Sequence, residues 1–587
     1  MVDLILGNRP GDAPKGRHAW DALRATRFKQ PDSSIGKSAY YDQAFCPAPK
    51  FDAQLIYKLF QSRFQVAEDE LLQMQTDPAY FRNELERQLL VKRSGPKLTK
   101  QEQDLVLCER PFECVSKFII WQSLRDEAWE LVKVQETYGT QIRAGQPLPN
   151  EYMETLTRIE AVFKLQFHSW TQALPRCLID LPAFSHHFSR AGEHTWHQLT
   201  KPERNIKDDR LFYCICELTK YDRIGSKNAS NQFAVIDDIL SRAAAKDKGR
   251  VDQALYDDLS DMAAVDEALS SLKYHRSRAP LARAIEESNR IGKYRLSVQA
   301  IRQVDSSLNI NNMEHGRLWN TISELRGFSK LPSKQMDQES LVRNQAQHDV
   351  LTRYWHEVRL HMERALKSQG YLPSSMVSKV MKSFEAPFSE DYRVLRDAEQ
   401  AEIRAVIEAQ ELRREINKAG SRSELHLPQH LAGLTIPKDE DTAPAASVKV
   451  KVKSRPAIDM DAADPAGDQV FAAEGAAEPE PITPISVGSK SVRLFTQMFT
   501  TLGMAKGLTK WDELVAALVD AGCSAEHKGG SAVAFEDQRN RTGCIVLHRP
   551  HPHPTLDPIT LKSVGKRLKK WFGWDAGMFV ERGKEEQ

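Results

Sequence analysis

From Phe51 to about Leu425 the apolar residues of this chain recur at i, i+3, i+4 and i+7, the spacing that gathers them on one face of an α-helix. Ile56, Phe60 and Phe64 follow one another at four-residue steps. Phe118, Trp121, Leu124, Ala128 and Val132 form one stripe, and Leu156, Ile159, Phe163 and Trp170 form another. Leu255, Leu259, Met262, Leu269 and Leu272 repeat the pattern, as do Leu351, Trp355, Val358, Met362 and Leu366. Each stripe has to bury against another helix, which predicts an all-α body rather than an alternating α/β domain. No fixed period with recurring signature residues runs through it, so a solenoid of a named kind is not supported.

The chain has 587 residues, room for two to four domains at roughly 100–200 residues each. Its 82 basic and 80 acidic side chains leave a net charge of +2, and the mean hydropathy is -0.52. No apolar run approaches the roughly 18 residues of a bilayer span, so no membrane partner is expected. Met1–Gly7 has no basic region and too short an apolar run for a secretory signal. The eight cysteines are scattered over a long chain, which favours free thiols over a disulfide scaffold. These features lead to the expectation of an intracellular chain, and the look of the linker described below points to the cytoplasm or nucleus.

Composition divides the chain into four parts. Residues 1–50 are basic and turn-rich and read as an irregular arm. Gly36-Lys37-Ser38 there lacks the first glycine and the preceding strand of a phosphate-binding loop. Residues 51–425 are the helical body. Its last helix is predicted from Ser389, as N-cap, to about Lys418, with Gly420 as its stop. Both a coiled coil and a solvated helix packed on one side are open for it, because the seam keeps no strict heptad. Residues 426–488 read as a disordered linker: Asp441–Gly488 is about a third alanine plus proline with a single aromatic, Phe471. The basic island Lys449–Pro456 within it reads as a solvated charge run.

Residues 489–580 have a different grammar. Thr509-Lys510-Trp511-Asp512 has capping-box spacing ahead of a helix carrying Trp511, Leu514, Val515 and Leu518 on one face. Short strands follow at Cys523–His527, Ser531–Phe535 and Gly543–His548, the first two joined by Lys528-Gly529-Gly530. Asp557 caps and Pro558 opens a closing helix with Leu561, Val564, Leu568 and Trp571 on one face, stopped by Gly573. The order α-β-β-β-α predicts a small α+β unit. The fold class expected for the whole chain is therefore mainly α, a large helical body joined by a linker to this small domain.

The run Leu508–Trp574 resembles the HicA-type toxin domain, a small RNA-cleaving fold related in shape to double-stranded-RNA-binding domains. The matching features are Leu514–Gly522, the Lys528-Gly529-Gly530-Ser531 turn, Val546-Leu547-His548 with Pro550-His551, and the helix from Thr560 to Gly573. In that family a histidine follows the Gly-Ser pair and acts on the RNA 2′-hydroxyl. Here Ala532 stands in its place, and a methyl group neither takes nor gives a proton. The resemblance implies RNA as partner, with cleavage lost and binding retained. On an alternating strand Ala532 shares a face with Ala534, opposite Val533 and Phe535, and is expected to be partly exposed.

The binding residues expected on this reading are Lys528, Arg549, Lys562, Lys566, Arg567, Lys569 and Lys570. No acidic residue interrupts the closing helix between Pro558 and Gly573, and from Ser489 onward 15 basic face 11 acidic side chains, net +4. The rival is a metal-independent endoribonuclease in which a histidine of the proline-stiffened His548–His553 loop, His548 or His551, replaces the missing one. A third reading is a pure protein–protein adaptor. An unidentified protein partner is expected for the body. No cofactor and no metal are expected: His194-x-x-His197 and Cys214-x-Cys216 fit no standard zinc spacing. Nucleophile-elbow, dinucleotide, kinase and EF-hand patterns are absent.

Overall fold

The computed structural model describes residues 51–92, 100–143, 146–191, 196–199, 209–219, 229–242, 244, 248–275, 320–321, 324, 337–368, 375–423, 484–499, 507–527, 531–539 and 543–582. The expected N-terminal arm and most of the expected linker lie outside them. The chain divides into two compact units. One joins residues up to 404 with those from 484 onward, and the other is 405–483.

Among the described residues there are 14 helices, and eleven of them build the body. They are α1 (Ala53–Thr76), α2 (Pro78–Lys92), α3 (Lys100–Tyr138), α4 (Asn150–Asp180), the one-turn α5 (Pro182–Ser185), α6 (Arg210–Thr219), α7 (Ala229–Arg242), α8 (Gln253–His275), α9 (Gln338–Ser368), α10 (Ser375–Lys382) and α11 (Glu390–Ser423). The stripes read from the sequence are the core. Ile56, Phe60, Phe64, Leu71 and Met74 of α1 are buried with Trp121 and Leu124 of α3, Phe163 of α4, and Trp355 and Val358 of α9. The Trp355 indole is satisfied by donating to the Met74 carbonyl at 2.8 Å.

Two details of the body differ from expectation. It is not wholly helical: β1 (Phe188–Ala191) and β2 (Trp196–Leu199) pair as an antiparallel hairpin. These runs are too short to carry a period that separates strand from helix. Gly420 does not stop α11, which continues to Ser423. A glycine weakens a helix by about 1 kcal/mol relative to alanine and ends it only where the chain turns left-handed. The Ser389 cap is as expected, its hydroxyl accepting from the Tyr392 amide at 3.2 Å.

The C-terminal part holds β3 (Ile485–Val487), α12 (Ser489–Phe499), β4 (Thr509–Lys510), α13 (Trp511–Asp520), β5 (Cys523–His527), β6 (Ala532–Asp537), β7 (Cys544–His548), β8 (Thr555–Leu556), α14 (Pro558–Phe572) and β9 (Phe579–Glu581). Strands β5, β6 and β7 form an antiparallel sheet in that order. Val533, Phe535, Ile545 and Leu547 face α12, α13 and α14 in a core with Leu494, Phe495, Leu514, Leu518, Leu561, Leu568 and Trp574. The expected α-β-β-β-α order is therefore the centre of a larger unit. Helix α12 precedes it, and β3, inside the stretch assigned to the linker, pairs in parallel with β9. Three residues are too few to stand out from the alanine- and proline-rich sequence before them. The capping box also fails: Thr509 is buried in β4 against β8, and α13 starts without a side-chain cap.

Candidate nucleic-acid interface

Helix α14 is held at both ends by its sequence. The Asp557 carboxylate accepts from the amides of Ile559 at 2.8 Å and Thr560 at 3.0 Å, Pro558 opens the first turn, and Gly573 closes the helix at φ 68°. Leu561, Val564 and Leu568 point into the domain core, which leaves the cations outward. Gly565 is needed where α14 crosses α12, because a Cβ there would lie 2.7 Å from the backbone oxygen of Met498.

The outward face of α14 meets the start of the body. Lys566 Nζ lies 2.6 Å from Asp77 Oδ2, and Arg567 Nε lies 2.7 Å from Asp69 Oδ2. Lys570 Nζ bridges Glu68 at 3.0 Å and Asp69 at 2.9 Å. Trp571 does not join the apolar stripe as expected. Its indole N–H donates to Asp69 Oδ2 at 2.9 Å, because the position falls at the edge between the core and the body. Asp69 thus receives three donors while only 3% exposed. Burial alone would lower the Lys566 and Lys570 ammonium pKa values, but the carboxylates of Asp77 and of Asp69 and Glu68 hold them above the ordinary lysine value. Burial would likewise raise Asp77, yet Lys566 keeps it below the usual carboxylate range.

Lys562 is half-buried and shifted down by burial despite the attraction of Asp77. Lys569 and Arg549 are exposed. Lys528 lies outside the described residues, with the whole Lys528-Gly529-Gly530 turn.

The sheet face opposite the domain core is covered as well. Ala532, Ala534 and Val546 form a small apolar floor against Val66 of α1. Ala532 is 0% exposed. The expected partial exposure is corrected here: the face alternation holds, but the body supplies a second layer.

Ala532 pairs directly with His548 across β6 and β7, so the histidine ring stands on the same face as the methyl group. His548 Nδ1 lies 2.7 Å from the Ser531 hydroxyl and 3.4 Å from Asp257 Oδ1, and Ser531 Oγ lies 3.3 Å from the same oxygen. His548 Nε2 is 3.4 Å from Arg63 Nη1, and Arg63 in turn pairs with Asp261 at 3.2 Å. An imidazole whose Nε2 accepts from Arg63 donates through Nδ1. Serine and aspartate therefore meet the same nitrogen, and the cluster is not a nucleophilic triad, which needs them on opposite nitrogens. Burial would raise the Asp257 carboxyl, but His548, Lys117 and Arg87 hold it well below the usual range. Its neighbour Asp258 is pushed up to about 7 by burial, with the charges of Asp261 and Asp257 adding to the shift and Lys117 opposing it.

The proline-rich loop docks too. The His551 amide donates to Gln253 Oε1 at 2.5 Å, its Nε2 lies 2.8 Å from the Lys248 carbonyl, and its ring stacks on Tyr256 at 4.5 Å. Burial lowers its pKa, so the neutral ring that donates to a carbonyl is favoured.

Sequence reasoning missed the body's half of this interface. Its signal was the acidic pair Glu68-Asp69 with Asp77, complementary to Lys566, Arg567 and Lys570 about 500 residues later. Of the metal-site candidates, Cys214 and Cys216 are buried thiols and His194 lies outside the described residues. Among the described residues no group of three histidine, cysteine, aspartate or glutamate side chains is placed to hold a metal ion, and no helix is long and apolar enough to cross a membrane.

A family model described as HicA toxin of bacterial toxin-antitoxin matches residues 511–570, from the start of α13 to the last turn of α14. No curated protein and no solved structure matches the chain.

Proposed function

We propose that the chain is an RNA- or phosphate-binding scaffold that does not cut its ligand, a helical body carrying a HicA-like module at its C-terminus. The observation that carries this reading is the closing helix of a HicA-like domain presenting Lys562, Lys566, Arg567, Lys569 and Lys570 with no acidic residue between them. Ala532 occupies the position where the resemblance implies a catalytic histidine and offers no proton chemistry. An arm at 1–50, a body at 51–425, a linker at 426–488 and a module at 489–580, residing in the cytoplasm or nucleus, complete the proposal. An unidentified protein partner of the body belongs to it as well.

The test is fluorescence anisotropy of a labelled 20-nucleotide uridylate RNA with the full chain, at several salt concentrations. Binding should weaken as salt rises. The Lys562→Glu, Lys566→Glu, Lys569→Glu variant should lose it, with the slope of log K against log salt reduced by about 0.7 for each lost contact. An unchanged affinity in a folded variant would end the reading.

One observation favours a second reading, a metal-independent endoribonuclease. His548 stands directly across the strand pair from Ala532, on the face where the resemblance implies the general base. Cleavage of the same RNA by the natural chain in the presence of a chelator, abolished by His548→Ala, would promote it.

A further inference from the structure

We infer that the chain carries its own competitor for RNA: Glu68, Asp69 and Asp77 occupy the sites on α14 that phosphates would take, so the natural chain binds RNA weakly and the module binds it tightly when the body lets go. This rests on the RNA-binding reading and adds the regulation of the same face. The carboxylate oxygens stand to the cations as phosphate oxygens would. Both oxygens of Asp69 are engaged, Oδ2 by Arg567 Nε at 2.7 Å and the Trp571 indole at 2.9 Å, and Oδ1 by Lys570 at 2.9 Å. Two unesterified oxygens bound by a guanidinium and an ammonium are also the pattern of a nucleic-acid backbone contact. Asp77 holds Lys566 and Glu68 holds Lys570 at the wetter margin.

The sheet face is closed by the same helix. Arg63 and Val66 lie one turn apart on α1, and Glu68, Asp69 and Asp77 extend the same docking edge to its C-terminal end. They reach, in order, His548, the Ala532–Ala534–Val546 floor, and the cations of α14. The alanines make this approach possible. A histidine at position 532, where side-chain exposure is 0%, would need the space that Val66 and α1 fill. Ala532 is thus explained twice, as the loss of a proton-transfer group and as the flat surface on which the body closes. The Nε2 atom of His548 lies 3.4 Å from Arg63 Nη1, so the ring too faces the body.

The experiment compares the full chain with two released forms, Glu68→Gln with Asp69→Asn and Asp77→Asn, and separately Ala532→His. The probe is the labelled 20-nucleotide uridylate RNA, and hydrogen exchange across β7 and α1 reports whether the face has opened. Both variants should exchange faster there and bind RNA at least tenfold more tightly than the natural chain. Adding Lys566→Glu and Lys570→Glu should remove the gain. Should the triple variant fail to fold, Glu68→Gln with Asp77→Asn, both at the outer margin, serves in its place. Released variants that bind RNA no more tightly than the natural chain would overturn the competition while leaving RNA binding intact. Released variants and natural chain that all fail to bind would overturn the RNA reading itself. Unchanged exchange in both variants would show that the carboxylates do not hold the face and that position 532 does not gate it.

Discussion

Asp69 is the residue on which the docking of α14 turns. It is 3% exposed against an Arg567 that is 11% exposed, and removing one partner of a buried pair leaves the other charge without compensation. Asp69→Ala should therefore lower stability by about 3–5 kcal/mol, read as a fall in the urea midpoint of the full chain. Glu68→Ala should cost no more than about 1 kcal/mol, because that pair is partly in water. Asp258 gives the opposite sign. Its folded pKa of about 7 lies above the 3.8 of an ordinary aspartate, so the native state holds this proton more tightly. The stability it allows is complete below about pH 4 and is lost as pH rises through about 7. Asp258→Asn should raise the melting temperature at pH 8 and leave it unchanged at pH 4. After allowance for partial exposure the gain is about 1–2 kcal/mol. An equal gain at both pH values would show that ionisation is not the cause. None of this was legible in the sequence, where Asp69 and Asp258 each sit in an ordinary acidic run; burial and a partner hundreds of residues away give them their character.

At the scale of elements, α14 was legible almost to the residue. Asp557, Pro558 and Gly573 are local signals acting within one turn, and the stripe Leu561, Val564, Leu568 has the helical period. The last member, Trp571, was misread because the period assigns a face, and a residue at its edge is decided by the neighbour. Gly565 was silent in the sequence. In most helices Gly→Ala stabilises by about 0.4–1 kcal/mol. Here the added methyl would meet the Met498 backbone of α12, so Gly565→Ala should destabilise by about 1–3 kcal/mol as overpacking does, with the loss seen in thermal unfolding. Strand β6 teaches the same lesson. Its alternation was readable and correct, but the burial of Ala532 and Ala534 was not, since alanine is compatible with either a wet or a covered face. The short strands β3, β4 and β8 and the hairpin of the body lacked the length for any pattern.

For the whole molecule, the helical body and the small α+β domain follow from two periodicities and a change of composition, which is why both were legible. That they belong to one compact unit was not, because complementary charge in Glu68, Asp69 and Asp77 and in α14 carries no address. Reading the domains as independent predicts that a cut between them releases the C-terminal fragment. The structure predicts that the pieces stay together, held by the α14 ion pairs, the Ala532–Ala534–Val546 floor and the His551 stack on Tyr256. Because exposed and half-exposed pairs are screened by salt while the buried pair and floor are less so, the association should weaken but persist up to moderate ionic strength. The most direct measurement inserts a site for a specific protease within residues 441–483 of the full chain, cuts it, and follows the products by size-exclusion chromatography at 50 mM salt. The account predicts that the two fragments co-elute and that Asp69→Asn with Asp77→Asn makes them separate. Free elution of the C-terminal fragment from the unsubstituted, cut chain would contradict it.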